Sequence, residues 1–302
     1  MSAAAVTPVP VVAPPRRPRV KRRRMALHAF LIVTCTIWAF PLLWAVYISL
    51  RPLGDTALHG DFSLPSTLNF QNFIDAWTQA DLPYYYLNTL IVAVPAVIIT
   101  LFLSSMLAYA LTRARSRFNL AMLLLFTAGN LLPPQVIIVP LYTLYLHIPI
   151  PHPISDNGIL YDQYIGIILI HVVFQTGFCV FVLSNYMRTL PRELTEAAIV
   201  DGAGIMTIYS RVILPLCRPA IAALATLEFT FIYNDFFWAL LLIETGSKRP
   251  ITSALNNLQG QFFTNSNLLA AASLLVAIPT VVVYLIFRRQ FVRGLTLGAT
   301  KG

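Results

Sequence analysis

The chain has 302 residues, of which 57% are hydrophobic and only 11% are charged. A soluble domain carries about 25% charged residues, so this composition excludes an ordinary soluble fold and implies that a lipid bilayer is part of the solvent. The formal net charge of +9 would suit nucleic-acid binding, but the positions of the cations, given below, argue against that role. The cysteines lie in or beside apolar runs and indicate neither a disulfide framework nor a metal site: Cys35, Cys179 and Cys217.

The chain opens with a basic tail, residues 1–24, which is rich in Pro, Val, Ala and Arg and is predicted to be disordered. A transmembrane helix needs about 20 predominantly apolar residues. Six stretches meet this requirement: 25–50, 87–111, 118–146, 164–187, 219–243 and 268–287. The predicted fold class is therefore all-α and polytopic, with six transmembrane helices and an uncleaved first span.

Residues 25–86 comprise the first span and an external loop. Within this loop, the positions of four large apolar residues follow the spacing i, i+3, i+4, i+7: Phe70, Phe73, Ile74 and Trp77. This spacing predicts a short helix that lies on the outer membrane interface. Residues 87–287 then contain a five-helix core, and residues 288–302 form a C-terminal tail.

The orientation follows from the Lys and Arg residues, which accumulate in cytoplasmic loops. Seven lie in the N-terminal tail, three in the second-to-third loop, four in the fourth-to-fifth loop and four in the C-terminal tail, which makes eighteen on one side. The opposite side has Arg51, Lys248 and Arg249. Both termini are therefore predicted to be cytoplasmic, where the cations face the anionic leaflet of the bilayer rather than a nucleic acid.

The fourth-to-fifth loop, residues 188–218, reads RTLPRELTEAAIVDGAGIMTIYSRVILPLCR. Pro191 suits the first turn of a helix, and Gly202 suits a turn that follows this helix. Residues 205–214 predict a second helix, which Pro215 would stop. The loop is thus predicted to be a helix–turn–helix in the cytoplasm, with a surface shaped for a partner protein.

This loop resembles a known family. The pattern E-A-A-x3-G-x9-I-x-L-P is typical of binding-protein-dependent import permeases, the membrane subunits of ABC importers. Here the pattern is carried by Glu196, Ala197, Ala198, Gly202, Val212, Leu214 and Pro215, with Val212 in the place of Ile as the one departure. The resemblance extends from about residue 87 to 302 and is similar to the carbohydrate, maltose-type branch, specifically its smaller (MalG-like) subunit. Looser matches support this branch: NTLIVAV at 88–94, LAYALTR at 107–113, LLPPQVIIVPLY at 131–142, NDFFWAL at 234–240 and FVRGLTLGATKG at 291–302.

The resemblance implies an ABC type-1 importer permease fold in the bacterial cytoplasmic (inner) membrane. It implies a complex of this chain with a second, larger permease subunit, two ATPase subunits and an extracytoplasmic solute-binding protein. The chain lacks the sequence G-x-x-x-x-G-K-[ST], so ATP and Mg would be bound by the separate ATPase, and this chain is not expected to be an enzyme. Transport of a sugar would proceed by alternating access.

By the same resemblance, part of loop 188–218 would be the coupling helix that docks into a cleft of the ATPase. The small side chains would permit close approach, and Glu196 would pair with a cation there. The residues assigned to this role are Glu196, Ala197, Ala198, Asp201, Gly202, Leu214 and Pro215.

A second loop, residues 244–267, matches the region of the family that reaches into the binding protein. It contains uncharged amide side chains suited to competing for sugar hydroxyl groups, which makes them candidate binding-protein contacts: Asn256, Asn257, Gln259 and Gln261.

Polar residues inside a membrane are energetically costly and often face a cavity or a partner helix. The candidates for a substrate path are Asn130, Gln135, Gln175, Glu228, Asn234 and Asp235. His171 lies four residues before Gln175 and so shares its helix face. Hydrogen bonding between helices is the alternative interpretation for each of these residues.

Three alternative functions remain open at this point. A permease for a sugar phosphate or another polar solute would use the same coupling loop, although no predicted span contains Lys or Arg to face an anion. A proton-coupled secondary transporter would use Glu228 and Asp235 as a relay but would leave the coupling motif unexplained. A membrane scaffold without transport activity would not need that motif either.

The distribution of cations predicts that a periplasm-active reporter enzyme fused after Gly302 is inactive, because the fusion point lies in the cytoplasm. The measurement is reporter activity in intact cells. Strong activity at this position would mean that the number of spans is odd or that the orientation is reversed.

Overall fold

The structure is a computed structural model that describes residues 19–113, 117–129, 133–258 and 265–296. The side chains of residues 19–23, 117, 256, 257 and 289–296 lie outside this description. Apart from one bridge between Pro149 and Ile159, the regular structure in these ranges is helical. The predicted all-α fold class is confirmed.

The helices, in chain order, are α1 (Arg19–Ser49), α2 (Leu53–His59), α3 (Gln71–Gln79), α4 (Leu82–Arg113), α5 (Arg117–Gly129), α6 (Ile138–His147), α7 (Tyr164–Met187), α8 (Arg192–Val200), α9 (Ile205–Ile208), α10 (Leu214–Leu216), α11 (Arg218–Tyr233), α12 (Phe237–Leu242), α13 (Ile251–Ala254) and α14 (Ser266–Thr296). Shorter 3-10 turns occupy Pro134–Ile137, Gly246–Lys248 and Leu255–Leu258, and a π-helical turn occupies Tyr209–Ile213.

Four helices in the described ranges are long and apolar enough to cross a bilayer, and they belong to α1, α4, α7 and α14. Two further pairs of helices qualify only when each bent pair is counted as one span, which brings the number to six. The chain divides into two compact units, of which the first ends at Tyr47 and the second begins at Ile48. Within the first unit, most side chains of residues 24–47 are exposed, as expected for a helix that faces lipid.

The predicted boundary of the basic tail needs correction. Helix α1 begins at Arg19, so residues 19–24 are helical where the sequence suggests a disordered tail; residues 1–18 lie outside the described residues.

The predicted third span, 118–146, is not one continuous helix. Its two parts, α5 and the segment 134–147, meet at an angle of 89°, and Pro133 and Pro134 follow the break. Two consecutive prolines remove two backbone donors, which explains why the helix does not continue through this point.

The predicted fifth span, 219–243, is also interrupted. Helix α11 has 16 residues, or about 24 Å of rise, and ends at Tyr233. The chain resumes helical structure at α12 after the three residues Asn234, Asp235 and Phe236. The carboxylate of Asp235 accepts hydrogen bonds from the backbone N–H groups of Trp238 (3.3 Å) and Ala239 (3.1 Å), so it satisfies donors that the start of α12 leaves open.

The main core forms around α4 and α7, which share the most extensive helix–helix contact in the described residues. Helix α4 buries small side chains every four residues at Ala96, Thr100, Ser104 and Ala108. This spacing places them on one face, where they let the two backbones approach closely. The hydroxyl of Ser104 donates to the carbonyl oxygen of Thr176 on α7 at 3.3 Å.

A second cluster joins α3, α11 and α14. The hydroxyl of Tyr233 donates to the carbonyl oxygen of Val276 (2.9 Å), and that of Tyr86 donates to the carbonyl oxygen of Leu275 (2.7 Å). The short helix predicted from residues 70–77 is present as α3, whose Ala76 is fully buried in this cluster. Its predicted position on the membrane interface stays a prediction.

The segment between α1 and α3 is organised around Arg51, whose side chain is completely buried. Its Nε donates to the Asp55 carboxylate at 2.8 Å, and its remaining nitrogen atoms reach the carbonyl oxygens of Gly60 and Asp61 and the hydroxyl of Ser63. Asp55 also accepts hydrogen bonds from Ser66. These bonds from Ser66 and Arg51 lower the pKa of Asp55 from 3.8 to about 2.

We expect Asp55→Asn to lower the thermal unfolding midpoint at neutral pH, because the buried guanidinium of Arg51 loses its counter-charge. A depressed folded-state pKa contributes stability that is complete above the ordinary value of 3.8 and is lost as the pH falls through about 2. The difference from wild type should therefore persist to about pH 4 and shrink toward pH 2.

Asp61→Asn is the matched control, since this exposed carboxylate makes no side-chain contact in the described residues while its backbone carbonyl still accepts from Arg51. Equal midpoints for both variants across this pH range would contradict a stabilising role for Asp55.

Candidate functional site

Loop 188–218 contains a well-defined helix, α8, that Pro191 precedes directly. The helix ends in a double hydrogen bond: the N–H of Gly202 reaches the carbonyl of Ile199 (2.9 Å) and the N–H of Ala203 reaches that of Ala198 (2.9 Å). This is the Schellman pattern, which requires a left-handed residue after the helix. Gly202 has φ +77° and fills that position. The predicted helix and turn are therefore present.

The second half of the loop differs from the prediction. Pro215 does not stop the helix that starts at Ile205; the chain continues through a π-helical turn into α10, which contains Pro215. A π turn widens the helix immediately before the proline, so the ring avoids the clash that it meets in a regular α-helix. The chain changes direction after Leu216, where the segment 205–216 and α11 meet at an angle of 71°.

The residues of the family motif on α8 face different ways. Ala198 is half-buried and packs against the main core, whereas Ala197 and Glu196 are exposed. Glu196 shares its helix face with Arg192 and Thr195, and these three residues line a cavity at the ends of α4 and α7. Asp201 is exposed just beyond α8, while Leu214 and Pro215 are half-buried.

The loop also exposes a set of large apolar side chains that the sequence motif does not contain. We call it the α8–α9 apolar patch, and it consists of Leu194 (42% exposed), Ile199 (51%), Val200 (86%), Ile205 (63%) and Met206 (62%). Leu194, Ile199 and Val200 lie outside the candidate spans, whereas Ile205 and Met206 begin the bent pair of segments 205–216 and 218–233. Several exposed large apolar side chains on two short helices make this loop a candidate interaction surface. The alternation of apolar residues in 194–206 could have indicated the patch, but only the structure separates buried from exposed positions.

The polar residues predicted inside the bundle are partly paired with one another. Glu228 is fully buried, and one of its oxygen atoms accepts a hydrogen bond from the thiol of Cys179 on α7 (3.2 Å). The buried Nε2 of His171 lies 3.5 Å from the carboxylate of Asp235. Glu228 lies within α11 and Asp235 beyond its end, so the two acids do not belong to one continuous helix.

The other candidates for a substrate path differ in their exposure. Gln175 is half-buried on α7, Gln135 is exposed in the 3-10 turn before α6, and Asn234 is exposed with its amide bonded to the carbonyl oxygen of Thr230 at 2.8 Å. Asn130 lies outside the described residues. Contacts within and between helices account for the observed partners of Glu228, Asn234 and Asp235, and the assignment of all these residues to a substrate path stays a prediction.

Loop 244–258 is held to α4 by side chains at the start of that helix. The amide of Asn88 donates to the carbonyl oxygens of Ser247 (2.7 Å) and Arg249 (3.1 Å). The hydroxyl of Thr89 accepts a hydrogen bond from the N–H of Ile251 (2.8 Å). Both residues belong to the stretch 88–94 that supports the family resemblance, and the structure gives their physical role.

Asp162 provides a second anchor for the same loop. It has φ +60°, which is unusual for a residue other than glycine, and its carboxylate accepts from the N–H groups of Glu244 and Thr245, both at 2.9 Å. Lys248 adds a hydrogen bond to the Asp162 carbonyl (3.0 Å) and an ion pair with Asp156 (2.6 Å). The sequence analysis did not identify Asp162, because its role depends on a contact with residues about 80 positions away.

The amides predicted to contact the binding protein are not placed by these contacts. Asn256 and Asn257 belong to the 3-10 turn Leu255–Leu258, but their side chains lie outside the description. Gln259 and Gln261 lie outside the described residues altogether. Their assignment stays a prediction.

The helical bundle and the short helix of loop 188–218 together define a multi-pass membrane protein with a built interaction element between two spans. Residues 101–296 match the family of the binding-protein-dependent transport system inner membrane component. The chain belongs to this family: it is a permease subunit of an ABC importer of the inner membrane, and it is not the ATPase.

The curated relatives include permeases for carbohydrates. The melibiose/raffinose/stachyose import permease protein MelC of Bacillus subtilis is 31% identical over 288 residues, which cover 95% of this chain and 100% of that protein. The diacetylchitobiose uptake system permease protein NgcG of Streptomyces coelicolor is 31% identical and covers 90% of this chain and 87% of that protein. A crystal structure of a bacterial ABC transporter for alginate import has the same fold, with a TM-score of 0.77 at 20% identity, covering 92% of this chain and 100% of that chain.

The geometry of Gly202 predicts that Gly202→Ala loosens the end of α8 without a steric clash. A Cβ at this position would meet no atom within 4 Å, so the effect comes only from the left-handed backbone, about 1–2 kcal/mol. Hydrogen exchange of the Ala203 amide should accelerate about 5- to 30-fold.

Gly204→Ala is the control, because Gly204 has φ −71° and equally open surroundings. Equal acceleration in both variants would contradict the assignment of Gly202 as the helix-terminating residue.

Proposed function

We propose that this permease imports a neutral sugar, either a monosaccharide or an oligosaccharide, and that an ATPase docked on the α8–α9 apolar patch drives the transport. The patch carries the proposal, because a permease without an ATP site of its own needs a surface that an ATPase can contact, and Leu194, Ile199 and Val200 expose apolar side chains outside the candidate spans. Five apolar side chains are exposed there, two of them, Ile205 and Met206, beyond the turn at Gly202. Ala197, which is small and exposed, allows a partner to approach the α8 backbone closely.

The working cycle is alternating access. ATP, with Mg, would bind to the partner ATPase and draw the docked loops together, so that the permease pair opens toward the binding protein. Because α8 follows α7 after only four residues, a displacement of α8 acts directly on a helix of the main core. The excess of Lys and Arg on the α8 side of the membrane supports a cytoplasmic location for this loop and for both termini.

The binding protein would contact the opposite side, where loop 244–258 is anchored by Asn88 and Asp162. An anchored loop loses little conformational freedom when a partner docks, which favours its use as a contact surface. The amides at residues 256, 257, 259 and 261 are assigned to this contact.

A sugar is favoured over a sugar phosphate on two grounds. MelC and NgcG, which match this chain along most of its length, carry names of uncharged oligosaccharide systems. The six predicted spans contain neither Lys nor Arg, and an anionic substrate would require a cation or several oriented donors along its path. A second permease subunit would complete this path.

We expect Val200→Glu to release the ATPase and to abolish uptake, because a charge buried in an apolar interface is not compensated. The full transporter is purified through a tag on this chain, ATPase retention is quantified, and cells are assayed with labelled neutral sugars and with sugar phosphates. Wild-type cells should take up at least one neutral sugar.

Leu64→Glu is the matched control, since Leu64 is 90% exposed and lies in the external loop. It should retain the ATPase at the wild-type level. Normal retention by Val200→Glu would contradict docking at the patch, and uptake of only phosphorylated sugars would contradict the substrate class.

A further inference from the structure

A cavity of about 630 Å³ lies where α4 ends, α5 begins and α7 passes into α8. Its volume is within the range of about 300–1,000 Å³ that is common for sites that bind small ligands. Arg113 at the end of α4, Arg188 after α7 and Arg192 at the start of α8 contribute cations to its wall. Among the described residues of that wall Glu196 is the only acidic one, so their side chains carry an excess of positive charge.

The three arginines are available to a ligand. None of them takes part in an ion pair within the described residues, and all three side chains are exposed. Arg113 lies over the ring of Tyr109, 5.6 Å from its centroid, and donates to the hydroxyl of that residue. The ring therefore positions one guanidinium at the wall of the cavity. Guanidinium groups bind phosphate oxygens in a bidentate manner and are the preferred side chains for such recognition.

The wall also has an aliphatic part, formed by Leu111, Leu120, Met187 and Leu190, beside uncharged polar side chains at Thr112, Asn119 and Thr195. A cavity with cations on one part of its wall and aliphatic side chains on another matches a molecule that has an anionic group joined to hydrocarbon. The location agrees with this composition, because the ends of helices that are long enough to span a bilayer lie at the level of the lipid headgroups.

We propose that this cavity binds the phosphate headgroup of an anionic phospholipid from the adjacent leaflet. Arg113, Arg188 and Arg192 contact the phosphate, and the aliphatic wall receives the glycerol backbone and the first methylene groups. Because Arg192 and Glu196 lie on α8, a bound lipid fixes one face of this helix while the α8–α9 apolar patch stays available to the ATPase. Lipid binding at this cavity does not depend on the transported substrate.

The experiment titrates the purified full-length chain in neutral detergent with three probes, namely dihexanoyl phosphatidylglycerol, dihexanoyl phosphatidylcholine and inorganic phosphate, and measures binding by calorimetry. Phosphatidylglycerol should bind saturably and at least about tenfold more tightly than phosphatidylcholine. The double variant Arg188→Gln/Arg192→Gln should weaken phosphatidylglycerol binding about tenfold or more. The control Arg211→Gln/Arg218→Gln removes the same charge from exposed sites of the loop outside the cavity and should bind as wild type.

Glu196→Gln provides a variant whose predicted effect is a gain, which misfolding does not imitate. Removing the carboxylate should tighten phosphatidylglycerol binding severalfold, because an anionic ligand no longer meets a like charge.

Equal binding by the two double variants, or no saturable phosphatidylglycerol binding to wild type, would overturn the proposal. Inorganic phosphate binding as tightly as phosphatidylglycerol would overturn a lipid source and assign the cavity to a free anion. None of these readouts involves uptake or ATPase retention, so their failure leaves the proposed transport function untouched.

Discussion

A bilayer offers no water to backbone groups, so each interruption of a helix inside this chain must be satisfied by the protein itself. The break between α11 and α12 shows how this requirement is met. Asp235 accepts two of the N–H groups that open at the start of α12, and Asn234 bonds back to the preceding turn. Asn88 and Thr89 do the same for the non-helical stretch after α12. Asn88, Thr89, Asn234 and Asp235 thus supply partners for backbone groups where the helices stop.

This constraint gives several polar residues a structural role, and their assignment to a substrate path stays a prediction. From sequence, an acid such as Asp235 in an apolar run is equally compatible with a ligand site, a proton relay and a structural role. The structure shows its carboxylate occupied by backbone donors, with His171 nearby. Glu228 is fully buried; its Oε1 accepts from the Cys179 thiol, whereas its Oε2 has no hydrogen-bond partner within the described residues. A carboxylate such as that of Asp235, whose oxygen atoms accept from backbone donors, is poorly suited to bind a sugar in that same conformation.

The sequence predicted most of the fold because the dominant signal is length and apolarity. The helices α4, α7 and α14 agree with three predicted spans to within a few residues at most ends, although α14 runs further into the C-terminal tail. The sequence failed where local chemistry competes with apolarity: at the double proline before α6, at Asp235 and at Pro215. In the first two cases polar or imino residues end a helix that hydropathy alone would continue. At Pro215 a π turn accommodates a residue that propensity alone would treat as a stop.

For loop 188–218, the family motif identified α8 and the turn that follows it. The motif did not separate Ala198, which packs on the core, from Ala197, which is exposed.

Helix α7 is the element that joins the two sides of the molecule. Its first residue, Tyr164, donates to the side chain of Asn88, which also holds the loop after α12. Its last residue, Met187, borders the cavity beneath α8. Its 24 residues rise about 36 Å, and its small residues pack closely on α4, so it is positioned to move as a rigid rod rather than to bend locally. In the proposed cycle, a displacement of α8 therefore reaches the loop after α12 through one continuous helix, and the contacts of Asn88 with Tyr164 and with that loop determine what the helix can carry with it.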